Sequence, residues 1–276
     1  MTDGGRSGGP VFSSAGGAAA GAAAAAGPGS AAVPGPGPTA PPAQGLAAAQ
    51  RPGSGPAPGP APAEAPALAV LASGRGSNFV AIAEAVRRGD LPMRLALVLS
   101  DVPGAPVLER AAEFGVPTVV VEPAAARDET GRYSRRRYSD LVLEELLRRG
   151  VEYVALAGFM RLLGGELLRR YAGRIVNIHP SLLPAFPGLE PQRQALEYGV
   201  CVTGCTVHLV DEGMDTGPII AQRAVPVEPG DTVETLTARI LEAEHDLYWR
   251  ALKRLATEKF VLDGRRVKFV SPAGRE

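Results

Sequence analysis

The stretch Arg174-Ile175-Val176-Asn177-Ile178-His179-Pro180-Ser181-Leu182-Leu183-Pro184 reads as a buried strand that stops abruptly and delivers polar side chains at its end. Ile175, Val176 and Ile178 form its apolar run. Asn177 and His179, two residues apart, project from the same face. Pro180 ends regular pairing, and Pro184 stiffens the loop that follows. An amide beside an imidazole at a strand end has the chemistry to bind a carbonyl oxygen and to move a proton. A core histidine bonded to backbone fits the same pattern, so the neighbouring segments have to separate the two readings.

Upstream, an apolar run at 68–72 stops at Ser73-Gly74-Arg75-Gly76-Ser77-Asn78 and gives way to a helical pattern with Phe79, Ile82 and Val86 on one face. Apolar strands follow at 95–100, 116–121 and 151–156, separated by helical patterns at 105–114 and 138–149, and a helix at 166–171 leads into the opening stretch. Leu141, Val142, Leu146 and Leu147 mark the buried positions of the 138–149 helix. Continuous apolar strands alternating with helices predict an α/β fold: a Rossmann-like, mostly parallel open sheet with helices on both faces. Ligands of such sheets bind beyond the carboxyl ends of the strands. The Gly-rich turn, the loop Ala157-Gly158-Phe159-Met160-Arg161-Leu162-Leu163 and the Asn177/His179 pair all fall at such ends.

In the Gly-rich turn the glycines permit close backbone approach, and the free N–H groups of the following helix favour an anion such as phosphate. Phe79 stands where a dinucleotide motif needs its third glycine, and no Lys-Ser/Thr pair completes a P-loop. A plain strand-to-helix turn is the other reading. The polar, basic insert at 122–137 is predicted to be a surface loop. Arg135, Arg136 and Arg137 at its end either touch an acidic ligand group or simply open the next helix.

Downstream, a short helix is predicted at 192–198 and a long strand at 202–210. Cys205, Val207 and Leu209 alternate there with Thr206 and His208, and His208 reads as a bonded core histidine. Asp211-Glu212-Gly213-Met214-Asp215-Thr216-Gly217-Pro218 is either a solvated turn or a segment that sends one carboxylate inward to charge His179. A strand at 219–227 returns as a hairpin. The last helix is predicted to start at Asp231, with Glu234 three residues on as a capping pair. Glu244 falls inside its buried stripe of Val233, Leu236, Ile240, Leu247 and Ala251. An unpaired buried carboxylate is costly, so it needs a ligand hydroxyl or amine, or an internal arginine. A hairpin turning at Asp263-Gly264 closes the chain.

The 276 residues are of two kinds. Residues 1–66 are Ala, Gly and Pro with Ser and no apolar period, a composition that cannot offset the roughly 1–2 kcal/mol per residue of ordering entropy. They are predicted to be disordered, with one domain over 67–276. Lys plus Arg and Asp plus Glu are equal at 29 each, which gives no support for a nucleic-acid or membrane surface. Cys201 and Cys205 make neither a disulfide framework nor a metal signature, so they are expected as core or strand-edge thiols in a reducing cytoplasm, with no metal. The Ala run at 15–26 lacks the Leu/Val core of a signal peptide, and no segment reaches the roughly 20 apolar residues of a membrane span.

Together, Ser73-Gly74-Arg75-Gly76-Ser77-Asn78, Ala157-Gly158-Phe159-Met160-Arg161, Asn177-Ile178-His179-Pro180-Ser181-Leu182-Leu183-Pro184, Thr203-Gly204-Cys205-Thr206-Val207-His208 and Asp215-Thr216-Gly217-Pro218-Ile219-Ile220 resemble the phosphoribosylglycinamide formyltransferases, folate-dependent enzymes of purine synthesis. The likeness runs in order over about 67–269. It implies transfer of the formyl group of 10-formyltetrahydrofolate to the amine of phosphoribosylglycinamide, with Asn177, His179 and Asp215 as catalytic residues. It implies that Gly76, Ser77, Asn78 and Glu244 bind the ribonucleotide. Folate would be bound by Arg135 (or Arg137), Met160, Arg161, Leu162, Leu163, Asn177, Asp211, Glu212, Gly213, Met214 and Asp215. In the implied mechanism Asn177 donates to the formyl oxygen, and Asp215 keeps His179 protonated. A histidine common in the family after Pro187-Gly188 is replaced here by Leu189-Glu190-Pro191, which puts that loop's contribution in question. Relatives of the same fold are methionyl-tRNA formyltransferase, which needs a further C-terminal domain, and formyltetrahydrofolate hydrolase, which typically has histidine where Pro180 stands.

Overall fold

The computed structural model of the chain describes residues 65–270. The tail expected at 1–66 lies outside the described residues apart from its last two positions.

Nine strands form one sheet: β1 (Ala67–Leu71), β2 (Arg94–Ser100), β3 (Thr118–Val120), β4 (Tyr153–Leu156), β5 (Ile175–His179), β6 (Val202–Leu209), β7 (Ile219–Pro226), β8 (Lys259–Asp263) and β9 (Arg266–Val270). Their order is β3-β2-β1-β4-β5-β6-β7-β9-β8. The first five run parallel, β6 and β7 run antiparallel to their neighbours, and the β8–β9 hairpin extends the edge with β9 parallel to β7. The helices are α1 (Ser77–Arg87), α2 (Pro106–Glu113), α3 (Arg135–Arg148), α4 (Glu166–Arg170), α5 (Pro191–Tyr198) and α6 (Val233–Thr257).

The period of two along each strand divides the core between the two faces. Leu68, Val70, Val98, Val176 and Ile178 pack with Phe79, Ile82, Val107, Ala111, Leu236, Ile240 and Leu247, which are residues of α1, α2 and α6. Ala69, Leu71, Leu97, Leu99, Val154 and Ile175 face the other way, onto Tyr138, Val142 and Leu146 of α3 and Leu167 of α4. This is the open α/β sheet covered on both faces that the apolar strands imply. The α6 helix is locked to the sheet by Tyr248, whose buried hydroxyl lies 2.9 Å from the Leu156 carbonyl and 3.0 Å from that of Val176.

Three local expectations are corrected. Helix α3 begins at Arg135 rather than 138, because Ser134 caps it by accepting a hydrogen bond from the Arg137 N–H at 3.3 Å. The three arginines thus belong to a first helical turn, and the insert before them carries a 3-10 turn at Pro123–Ala126. The cap of α6 is Thr232, in a reciprocal box with Thr235, and not Asp231 with Glu234. Asp231 instead holds Arg239 at 2.7 Å and accepts from the Glu228 N–H. A threonine hydroxyl can both donate and accept, so the Thr–Thr pair satisfies both backbone donors and leaves the carboxylate for arginine.

Removing the Tyr248 hydroxyl severs the tie from α6 to β4 and β5. Tyr248→Phe is expected to lower unfolding free energy by about 1 kcal/mol in urea denaturation. An unchanged midpoint would mean that packing alone seats the helix.

Candidate active site

Three segments meet at the carboxyl end of β5. Asn177 and His179 come from the strand itself. His208 is the antiparallel partner of Asn177 across β6, and Asp215 lies in the turn between β6 and β7. Gly217 makes that turn possible: a Cβ there would sit 1.7 Å from the Leu209 carbonyl oxygen. Asp215 itself adopts a left-handed backbone at φ 55, an uncommon conformation for a residue with a side chain.

His179 is buried, and both of its ring nitrogens face oxygen. Its Nε2 is 2.9 Å from the Phe186 carbonyl, and its Nδ1 is 3.5 Å from Asp215 Oδ2. The same Oδ2 accepts from the Gly188 N–H at 2.8 Å. The loop after β5 therefore supplies an acceptor to the imidazole and a donor to the carboxylate. That loop is pinned to the sheet through Thr206, whose hydroxyl donates to the Ser181 carbonyl at 2.7 Å and accepts from the Leu183 N–H at 3.0 Å. Gln222 adds a bond to the Leu183 carbonyl at 2.9 Å.

Burial holds the His179 imidazole below its ordinary value of 6.5, against the Phe186 carbonyl and the Asp215 charge, which pull it upward. The nearby His208 ring adds to the depression. Asp215 thus pulls the ring toward its charged form, in the expected direction, against the larger effect of burial in the free protein. Desolvation of the imidazolium outweighs one carboxylate at 3.5 Å. Burial would also raise the Asp215 carboxyl, but contacts with His208, the Gly188 N–H and His179 outweigh it and keep the group ionised.

His208 is more than the bonded core histidine expected. It is buried and its Nδ1 lies 2.9 Å from the Leu209 carbonyl, which fixes that nitrogen as the donor. Its Nε2 then accepts from the Asn177 amide at 3.1 Å and lies 3.7 Å from Asp215 Oδ1. The bond orients the Asn177 amide and leaves its second N–H without an acceptor among the described residues. No spacing in the sequence signals this pairing, because it is the register of β5 against β6 that sets the two polar side chains opposite each other.

A cleft opens in front of these groups. Asn177, His208 and Asp215 line it, together with Phe159, Arg161, Leu162, Leu163, Asp211, Gly213 and Met214. Met160 and Met214 are 62% and 54% exposed, large apolar side chains held in water at its margin. Met160 and Glu212 stand beside the cleft rather than in its lining. Arg135 bridges the two loops that frame it. Its Nε donates to the Leu163 carbonyl at 2.9 Å, and its Nη2 reaches the Glu212 carbonyl at 3.3 Å. Arg137 turns away, to the Arg127 carbonyl at 3.2 Å. Leu189-Glu190-Pro191 lies outside this lining: Glu190 is exposed at φ 52 and pairs with Arg193 at 3.3 Å.

The remaining expected residues form a second group. Gly76 takes φ 74 ahead of α1, and a Cβ there would lie 2.5 Å from Val107, so the turn is pressed against α2. Ser77 and Asn78 open α1. Asn78 donates to Glu244 Oε2 at 2.8 Å, with both side chains buried. Among the described residues an amide, and not an arginine, partners Glu244. Burial raises its carboxyl to about 7, with the Asn78 amide opposing. The Asn78 Oδ1 is buried with no hydrogen-bond partner among the described residues. Among the described residues no group of three or more His, Cys, Asp or Glu is placed to hold a metal ion, and no helix is long and apolar enough to cross a membrane.

Comparison with known proteins bears on this arrangement. The formyl transferase family model matches residues 67–252. The phosphoribosylglycinamide formyltransferase of Bacillus subtilis is 46% identical over 184 residues, 67% of this chain and 91% of the relative. A trifunctional purine biosynthetic protein, adenosine-3, of Drosophila pseudoobscura is 48% identical over 190 residues, but the chain spans only 13% of its length. Among solved structures, glycinamide ribonucleotide transformylase 1 of Symbiobacterium toebii superposes with a TM-score of 0.71 at 48% identity, covering 76% of this chain and 96% of that one. On the extent of these matches, the chain belongs to the formyl transferase family.

Proposed function

We propose that the chain transfers the formyl group of 10-formyltetrahydrofolate to the amine of phosphoribosylglycinamide. The observation that carries the reading is the group of amide, imidazole and carboxylate at the end of β5. Asn177 and Asp215 line a cleft, and the buried His179 stands 3.5 Å from Asp215. The name of the Bacillus relative supplies the acceptor.

The cleft suits a formyl folate. Phe159, Leu162 and Met214 offer apolar surface to a flat ring, and Arg161 offers a cation to a carboxylate. The folate supplies a formyl group on nitrogen, activated for attack by an amine. The unpaired N–H of Asn177 donates to the formyl oxygen as it gains negative charge. Such a donor, set in place before the reaction, is worth about 2.7–4 kcal/mol of barrier. His179, neutral at rest, takes the proton that the attacking amine gives up and passes it on to the folate nitrogen as the carbon–nitrogen bond breaks. Its protonated form is favoured only while negative charge sits beside it, so its help is greatest in the transition state. Asp215 and the Phe186 carbonyl then accept from both ring N–H groups of the imidazolium.

Gly76, Ser77 and Asn78 would hold the phosphate and ribose of the ribonucleotide at the start of α1, with Glu244 receiving a ribose hydroxyl. The free thiols Cys201 and Cys205 fit a cytoplasmic setting.

The reading is tested by following tetrahydrofolate release with and without the ribonucleotide. Release that requires phosphoribosylglycinamide is expected; equal release without it indicates a hydrolase. His179→Ala should reduce turnover by about a hundredfold or more while the circular dichroism spectrum is unchanged. Near-normal turnover would remove His179 from the mechanism. Glu244 gives a pH signature. The folded chain keeps on Glu244 a proton that the unfolded chain loses near 4.5, so stability should fall as pH rises from there to about 7 and level off beyond. Glu244→Gln cannot ionise and should lose that component of the slope, up to about 1.4 kcal/mol per pH unit. Identical pH profiles of urea denaturation for the two proteins would contradict the assignment.

A further inference from the structure

Asp101, just beyond β2, is a carboxylate that neither the fold nor the reaction above accounts for. Its side chain is 1% exposed, and among the described residues its one ion pair runs from Oδ2 to Arg161 Nε at 2.7 Å. Its other oxygen, Oδ1, is buried and has no hydrogen-bond partner among those residues. A carboxylate buried with half of its acceptors unused costs free energy that the packing does not return. Among the described residues only Arg161 forms an ion pair with it. Tyr133 and Tyr138 lie close enough that, after burial, the Asp101 charge is among the causes that push their phenols up, but the Tyr138 hydroxyl is spent on the Val121 carbonyl at 3.0 Å.

What Asp101 does is hold an arginine. Arg161 is 39% exposed and lines the cleft, and it uses only Nε toward Asp101. Its two terminal nitrogens make no hydrogen bond among the described residues. A guanidinium gripped at Nε keeps its outer edge free, and that edge matches the two oxygens of a carboxylate. The backbone beside it is held as well, with the Met160 N–H donating to Ser73 Oγ at 2.9 Å.

We propose that Asp101 is a positioning residue, which fixes Arg161 so that the outer edge of its guanidinium receives a carboxylate of the folate glutamate. The inference rests on the folate reading of the cleft. It makes Asp101 responsible for affinity toward one end of the ligand, with no part in formyl transfer itself.

Two effects of removing the charge oppose each other, which makes the test decisive. Losing Asp101 frees Arg161 to move, weakening its grip on an anion. It also leaves Arg161 less neutralised, which strengthens attraction for an anion. Positioning predicts that the first prevails. Calorimetry on wild type, Asp101→Asn and Arg161→Lys should compare tetrahydrofolate with tetrahydropteroate in its primary amide form, which has the same rings but neither glutamate nor carboxylate. Asp101→Asn is expected to weaken tetrahydrofolate binding about tenfold and to leave binding of the tetrahydropteroate amide unchanged. Arg161→Lys, which keeps the charge but loses the fork, should behave likewise. A loss of equal size for both ligands would make Asp101 a structural residue, and unchanged or tighter tetrahydrofolate binding would make it a mere counter-charge; either overturns the proposal. Absence of tetrahydrofolate binding by the wild type would also overturn it. Binding without transfer to phosphoribosylglycinamide would overturn only the proposed reaction.

Discussion

The buried imidazole of His179, set between the Phe186 carbonyl and the Asp215 carboxylate, is the contact on which the rest of the site depends. Each partner sits where it does for a separate reason. The Phe186 carbonyl and the Gly188 N–H come from a loop pinned to β6 and β7 by Thr206 and Gln222. Asp215 comes from a turn that only glycine at position 217 allows, because the Leu209 carbonyl fills the space a side chain would need. Asn177 is oriented from across the sheet by His208. Antiparallel β6 is what makes this possible, since it brings a second strand's polar residue opposite the first.

Burial gives that contact its chemical character. An exposed imidazole beside a carboxylate would tend to hold its proton, whereas this one is pushed below its ordinary value even with Asp215 at 3.5 Å. The ring is therefore a base at rest and an acid only when charge appears next to it. In the proposed reaction the protein does not stabilise a charge that the substrates lack. It sets out acceptors for a proton that arrives with the transition state. The Glu244–Asn78 pair follows the same logic: a carboxyl raised by burial to about 7, with an empty acceptor on Asn78 beside it.

The parallel half of the sheet was legible in the sequence because β1, β2, β4 and β5 are buried on both faces and so read as unbroken apolar runs. The positions of Gly76, Asn177 and His179 at strand ends followed from the same runs. What did not follow was anything decided by contact between distant segments. No spacing relates Asn177 to His208, or Asp101 to Arg161; strand order and register bring them together. The helix starts at Ser134 and Thr232 were misjudged because several residues in each stretch could cap, and hydrogen-bond geometry chose among them. The burial that opposes Asp215 at His179 was not legible for a related reason: a carboxylate neighbour can be guessed from sequence, but the depth of burial around the ring cannot.

The imidazole of His179 is the centre of the site, and nitrogen-15 NMR of the labelled ring across pH tests its role most directly. In the free protein the ring should titrate below 6.5, with Nε2 carrying the proton toward Phe186 when neutral, and Asp215→Asn should lower the value further. A midpoint above 6.5, or one that does not move when the Asp215 charge is removed, would contradict the account.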